Sequence, residues 1–107
     1  MAERNTTKSG TVRFLIFKED DVWYGVAFEF GIVTEATSQQ EAYANLLDAT
    51  QGYLESLRAS KYRPTQANPL LNKKADEEYE KLWDDYHAKK PIESPITISS
   101  AGTLAVN

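Results

Sequence analysis

The stretch TVRFLIFKEDDVWYGVAFEFGIVTEATSQQEAYANLL, residues 11–47, decides how the chain folds. Between Thr11 and Lys18 the run Val12, Phe14, Leu15, Ile16 and Phe17 is β-branched, aromatic and free of glycine and proline, which predicts a strand buried on most of both faces. Lys18, Glu19, Asp20 and Asp21 break it. β-Formers resume from Val22 to Phe30, so the pair reads as a hairpin with an acidic tip. Under the two-residue period of a strand, Val22, Tyr24, Val26, Phe28 and Phe30 share one face, and Trp23, Gly25, Ala27 and Glu29 share the other. The even set is the predicted core set. Gly31 interrupts the run, and Ile32–Thr34 is a third strand placed to pair antiparallel with the second.

Ser38 followed three residues later by Glu41 is a capping box, which opens a helix that continues to Arg58. Ala42, Leu46, Ala49, Tyr53 and Leu57 recur at spacings of three and four, and Tyr43, Leu47, Thr50 and Leu54 widen the stripe to the width that packing on a sheet requires. Gly52 weakens that helix but offers close approach to the sheet. Further on, Asn68 and Pro69 read as a cap and first turn, and Leu71, Ala75, Tyr79, Leu82, Trp83 and Tyr86 predict one extra amphipathic helix over 68–90, with Glu77–Lys81 and Asp85–Lys89 as exposed pairs. Pro91 ends it. Ile92–Ser99 then reads as a fourth strand interrupted at Pro95, with Thr103–Val106 adding extended residues, so that 92–106 forms a C-terminal strand region. The polar residues 1–10 read as a flexible lead.

The result is an α+β domain: a three-stranded antiparallel sheet, a helix, an extra helix and a C-terminal fourth strand. The expected core comprises Phe14, Ile16, Val26, Phe28, Leu46, Tyr53 and Leu57. At 107 residues the chain has the length of one domain, and its 41% apolar and 26% charged residues are the proportions of a globular protein rather than a disordered one. The absence of cysteine excludes disulfides, thiolate metal sites and a cysteine nucleophile, and accords with a reducing cytoplasm. A net charge of -4 has the wrong sign for gripping nucleic acid and suits a basic protein partner. No secretory leader or membrane-spanning run is expected, which points to a cytoplasmic protein.

No catalytic constellation emerges from the residues. His87 is the lone histidine and sits in a charged helical stretch, so it reads as a surface residue and not as a triad base or as a metal ligand with Asp84 or Glu80. Asp20 with Asp21 and Asp84 with Asp85 read as solvated pairs instead of magnesium ligands. The glycines are isolated, so no phosphate-binding loop is expected. Trp23, Tyr79, Trp83 and Tyr86 read as core or protein-interface aromatics in acidic surroundings.

A resemblance covers about residues 11–58. The order strand, hairpin, strand, followed by Phe28, Glu29, Phe30, Gly31, Ile32, Val33, Thr34 and Glu35, resembles the HicB antitoxin family. Thr37, Ser38, Gln39, Gln40, Glu41 and Ala42, then Asn45, Leu46, Ala49, Tyr53 and Leu54, are similar to that family's helix pattern at the same spacing. Phe30 stands before Gly31 where the family usually has proline, and no DNA-binding helix pair follows the last strand.

The resemblance implies a partial RNase H-like fold. It further implies an antitoxin that neutralises a small basic HicA-type RNA-cleaving toxin, with no catalytic, cofactor-binding or metal-binding residue of its own and no cofactor. Homo-oligomers and no direct nucleic-acid or membrane binding are expected. Trp23, Glu29 and Glu35 are the expected partner contacts, the two carboxylates flanking the turn at Gly31. The alternative is a solitary HicB-like domain acting as a structural or regulatory homo-oligomer without a toxin.

Overall fold

The chain builds two hydrophobic cores, one on each side of a single four-stranded sheet. The structure, a computed structural model, describes Asn5, residues 10–60 and residues 64–106. In chain order the elements are β1 (Gly10–Glu19), β2 (Val22–Ala27), β3 (Ile32–Ala36), α1 (Gln39–Ala59), α2 (Pro64–Leu71), α3 (Glu77–His87) and β4 (Ile96–Val106). Neighbouring strands are all antiparallel in the order β3-β2-β1-β4, which puts β1 inside the sheet and β4 on its edge. The α+β class and the strand order around α1 are as expected. Among the described residues no helix is long and apolar enough to cross a membrane.

Hairpin register decides which residues share a core. Asp20 and Asp21 form a two-residue turn between the paired Glu19 and Val22, with Asp20 in the left-handed region at φ 57°. Phe14 therefore pairs with Ala27, and Ile16 with Gly25, so even residues of β1 share a face with odd residues of β2. The expected core of Phe14, Ile16, Val26 and Phe28 splits accordingly. Phe14 and Ile16 join Val12, Ala27, Phe30, Leu46, Leu54 and Leu57 beneath α1. Val26 and Phe28 join Leu15 and Phe17 on the opposite face, covered by Tyr79, Leu82 and Trp83 of α3. Trp23 lies on the α1 side, and both faces of β2 are covered.

β2 is shorter than the expected 22–30. Phe28, Glu29, Phe30 and Gly31 form a turn in which the Gly31 N–H donates to the Phe28 carbonyl at 3.1 Å, and Gly31 takes φ 66°. The turn sends Phe28 and Phe30 into different cores. Ser38 caps α1 as expected, its hydroxyl accepting from the Glu41 N–H, while the Glu41 carboxylate accepts from Thr37 rather than from Ser38 itself. Close contact between α1 and the sheet depends on Gly25, not on Gly52. A Cβ at Gly25 would lie 3.1 Å from the Ala42 carbonyl oxygen, whereas one at Gly52 would meet nothing.

The expected single helix over 68–90 is two helices on opposite faces. α2 begins at Pro64 and carries Pro69 inside it, and Leu70 and Leu71 pack on the α1 side. Residues 72–76 then pass the Phe28–Gly31 turn, where the Lys73 N–H donates to the Glu29 carbonyl at 2.6 Å. α3 ends at His87 with Lys89 in the left-handed region at φ 58°, its N–H donating to Tyr86 and that of Lys90 to Asp85. Lys81 pairs with Asp85 at 2.8 Å, a different partner from the one its spacing to Glu77 suggests. The C-terminal region is one strand, β4, from Ile96; residues 92–95 precede it, and 103–106 belong to it. Of the lead 1–10, residues 1–4 and 6–9 lie outside the described residues, while Asn5 is buried and bonded to Leu71, Asn72 and Thr11.

Phe28 has no exposed surface and meets Trp83 edge-on at 5.3 Å. Phe28→Ala is expected to lower the unfolding free energy by about 3–5 kcal/mol, measured by urea denaturation. A loss below about 1 kcal/mol would show that this face does not depend on the ring.

Candidate functional site

Arg13 projects from β1 toward α3 and organises that side of the molecule. Its Nε lies 2.6 Å from Glu29 Oε2 and its Nη1 2.6 Å from Glu80 Oε1, so the sheet, the turn and α3 converge on one guanidinium. Its planar face stands 4.6 Å from the Phe28 ring centroid and 5.4 Å from that of Trp83. Burial works against the charge, but hydrogen bonds to Glu80 and Glu29 and the attraction of both carboxylates outweigh it and hold Arg13 above its ordinary value. Glu29 also mends the ladder. The Phe28 N–H donates to the Arg13 carbonyl, while the Phe28 carbonyl is taken by Gly31; the Glu29 carboxylate accepts the Arg13 N–H at 2.7 Å in its place.

The three expected contact residues do not form one patch. Glu29 is committed to Arg13 and mostly shielded, so its carboxylate is an internal anchor. Trp23 pairs with Ala36 and packs half-buried on the α1 side, with Lys18 Nζ 5.9 Å from its ring. Glu35 is exposed on β3 beside Tyr24, whose ring belongs to the α3 side, so it faces away from Trp23. Only Glu35 presents a free carboxylate among these. His87 stacks on Trp83 at 4.2 Å, and its Nδ1–H donates to the Trp83 carbonyl at 2.9 Å. Among the described residues no group of three His, Cys, Asp or Glu side chains could hold a metal ion.

The structure does gather acid elsewhere. Asp76, Glu77 and Glu78 are exposed at the start of α3, where negative charge is favoured by the helix dipole. Tyr79 follows them and lies 6.1 Å from Phe17, which brings this helix end near Glu19, the last residue of β1 before the exposed tip residues Asp20 and Asp21. Burial, then the charges of Glu78 and Asp76, with smaller contributions from Tyr24 and Glu19, raise the Tyr79 phenol above its ordinary value. Residues far apart in sequence meet here, as they do at Arg13, which lies 67 positions before Glu80. A lone arginine inside an apolar strand was the readable signal for a clamp, because such a charge requires partners. Nothing in local sequence placed α3 beside the hairpin tip.

A cleft of about 390 Å³ lies between α1 and the β1–β4 end of the sheet, lined by Val12, Phe30, Leu47, Leu54 and Leu104 with Glu55 and Arg58 at its rim. Comparison with known families, characterised proteins and solved structures found no match for this chain. The likeness to HicB antitoxins therefore rests on the residues of 11–58 themselves.

Two outcomes follow from the charges. Arg13→Met leaves two carboxylates facing each other and should cost roughly 2 kcal/mol, between the values of surface and buried pairs, with faster amide exchange across Tyr79–His87. A raised phenol pKa in the folded state means that Tyr79 stabilises the fold fully below its unfolded pKa of about 10 and loses that contribution as pH rises through the folded value. Tyr79→Phe should accordingly flatten the alkaline fall in stability, as followed by denaturation between pH 9 and 11, on the order of one unit either side of the phenol.

Proposed function

We propose that this chain is an antitoxin-like protein-binding module, non-catalytic and cytoplasmic, that neutralises a small basic HicA-type RNA-cleaving toxin. Its sheet and α1 would constitute a partial RNase H-like domain of the HicB kind. The observation that carries this reading is the acidic end made by Glu19, Asp20 and Asp21 of the hairpin with Asp76, Glu77 and Glu78 of α3. Such an end attracts a basic protein over a Debye length, giving orientation and on-rate, and repels a nucleic-acid backbone. The α-helix pattern from Ser38 to Leu54 supplies the family likeness. Glu35 extends the available acid along β3, while Trp23 packs on the α1 side and Glu29 pairs with Arg13. A homo-oligomeric regulator without a toxin is the second reading, favoured by the open edge of β4.

Mixing the purified protein with the product of a neighbouring gene for a small basic HicA-type protein should yield a complex that suppresses RNA cleavage and weakens steeply between about 50 and 300 mM salt. The double substitution Glu77→Lys with Glu78→Lys should slow association by about tenfold or more without unfolding the protein. A toxin that cleaves RNA undiminished in the presence of excess protein, or tight binding of the protein to duplex DNA, would sink this reading.

A further inference from the structure

The two edges of the sheet are unlike. β3 is a five-residue edge carrying the exposed Glu35. β4 runs for eleven residues, ITISSAGTLAV, without a charge or a proline, the usual devices by which proteins blunt an edge. No strand among the described residues adjoins its outer side. The pairing with β1 shifts at Ile16 and Phe17, a bulge that sets Ser100–Val106 apart as the regular stretch of this edge. Beside that stretch α1 lies mainly over β3 and β2, so the apolar cleft against Leu104 stays open and Leu47 and Tyr43 remain 39% and 38% exposed.

We infer that the β4 edge is the docking surface for a second copy of this chain, β4 pairing antiparallel with β4 across a two-fold axis to give one continuous eight-stranded sheet. Charge selects this occupant. An uncharged strand offers nothing to the basic partner proposed for the acidic end, whereas it matches itself without repulsion. Full overlap of Ser100–Val106 with its mate puts Thr103 on the axis and Leu104 of each copy beside Gly102 of the other. Gly102 lies directly under the Phe14 ring, which meets Tyr43 at 5.5 Å, so the incoming leucine arrives against an aromatic wall.

The axis also keeps the acidic ends apart. Ile96, opposite Glu19, is seven residues from Thr103, so the two hairpin tips lie on the order of 45 Å from each other and well beyond a Debye length. Backbone pairing alone covers a narrow strip, short of the roughly 800 Å² per partner of a stable interface. The apolar walls of the cleft beside Leu104 add contact area at the margin of that strip. This inference is independent of the toxin reading and leaves both acidic ends free in the dimer.

Sedimentation equilibrium of the full chain at tens of micromolar, on the order of typical subunit concentrations for such tests, should give twice the chain mass. Thr103→Cys introduces the sole thiol of the chain. Mild oxidation should convert it into a covalent dimer, because facing residues of antiparallel strands fall within disulfide range. Thr103→Glu sets two carboxylates together on the axis while lying opposite Arg13 in its own sheet, so it should give a folded monomer. A wild-type monomer, absence of the cross-link, or a dimer that persists unchanged in Thr103→Glu would each overturn the inference. So would a monomer whose β4 pairs only with an added basic protein.

Discussion

A guanidinium held between a sheet and a helix is the constraint on which the α3 side of this molecule depends. Arg13 stands in a strand whose neighbours Val12, Leu15, Ile16 and Phe17 are all buried, and a charge in that setting is tolerated only with partners. Glu29 and Glu80 provide them from the turn after β2 and from α3, sixteen and sixty-seven residues further along the chain. The same contacts fix three things at once: the shape of the turn after β2, the height of α3 over the sheet, and the seating of Trp83 on Phe28. Its side chain keeps 30% of its exposure, so water shares in solvating it and the pairing is a positioning device more than a large store of stability.

Much of the first half of the fold was legible. The hairpin, the third strand and α1 are each written in local terms: a charged two-residue tip, a glycine at the next turn, a serine cap and a four-residue apolar rhythm. Strand phase is equally available from the hairpin register. Once Glu19 faces Val22, paired positions sum to an odd number, and an even residue in β1 must share its face with an odd one in β2. Under that arithmetic Phe14 and Ile16 face one core and Val26 and Phe28 the other.

The second half resisted for a different reason. Leu71, Ala75 and Tyr79 keep helical spacing through residues 72–76, where the chain is not helical, because apolar periodicity reports burial and not which side of a sheet does the burying. Leu71 belongs to one core and Ala75 to the other. Candidate contacts suffered similarly. Glu29 reads as a surface acid beside a turn, yet its carboxylate replaces a carbonyl in the ladder; the acidic end, by contrast, joins a hairpin tip and a helix start that only tertiary structure brings together.

The strand order also sets a schedule for folding. β2, β3 and α1 find their partners within neighbouring segments, so the α1-side core assembles from contiguous chain. β1 waits much longer: its outer partner begins at Ile96, seventy-seven residues past Glu19. At synthesis rates of ~5–20 residues per second, that interval lasts roughly 4–15 s. Throughout it the nascent chain carries β1 as an unprotected edge, and Leu15 and Phe17 stay uncovered until α3 is made. A ribosome-bound half-sheet of this kind is the species a chaperone would meet, and Arg13, Lys18 and Glu19 are the charges on the exposed strand that discourage it from pairing with its neighbours on the same message until β4 arrives.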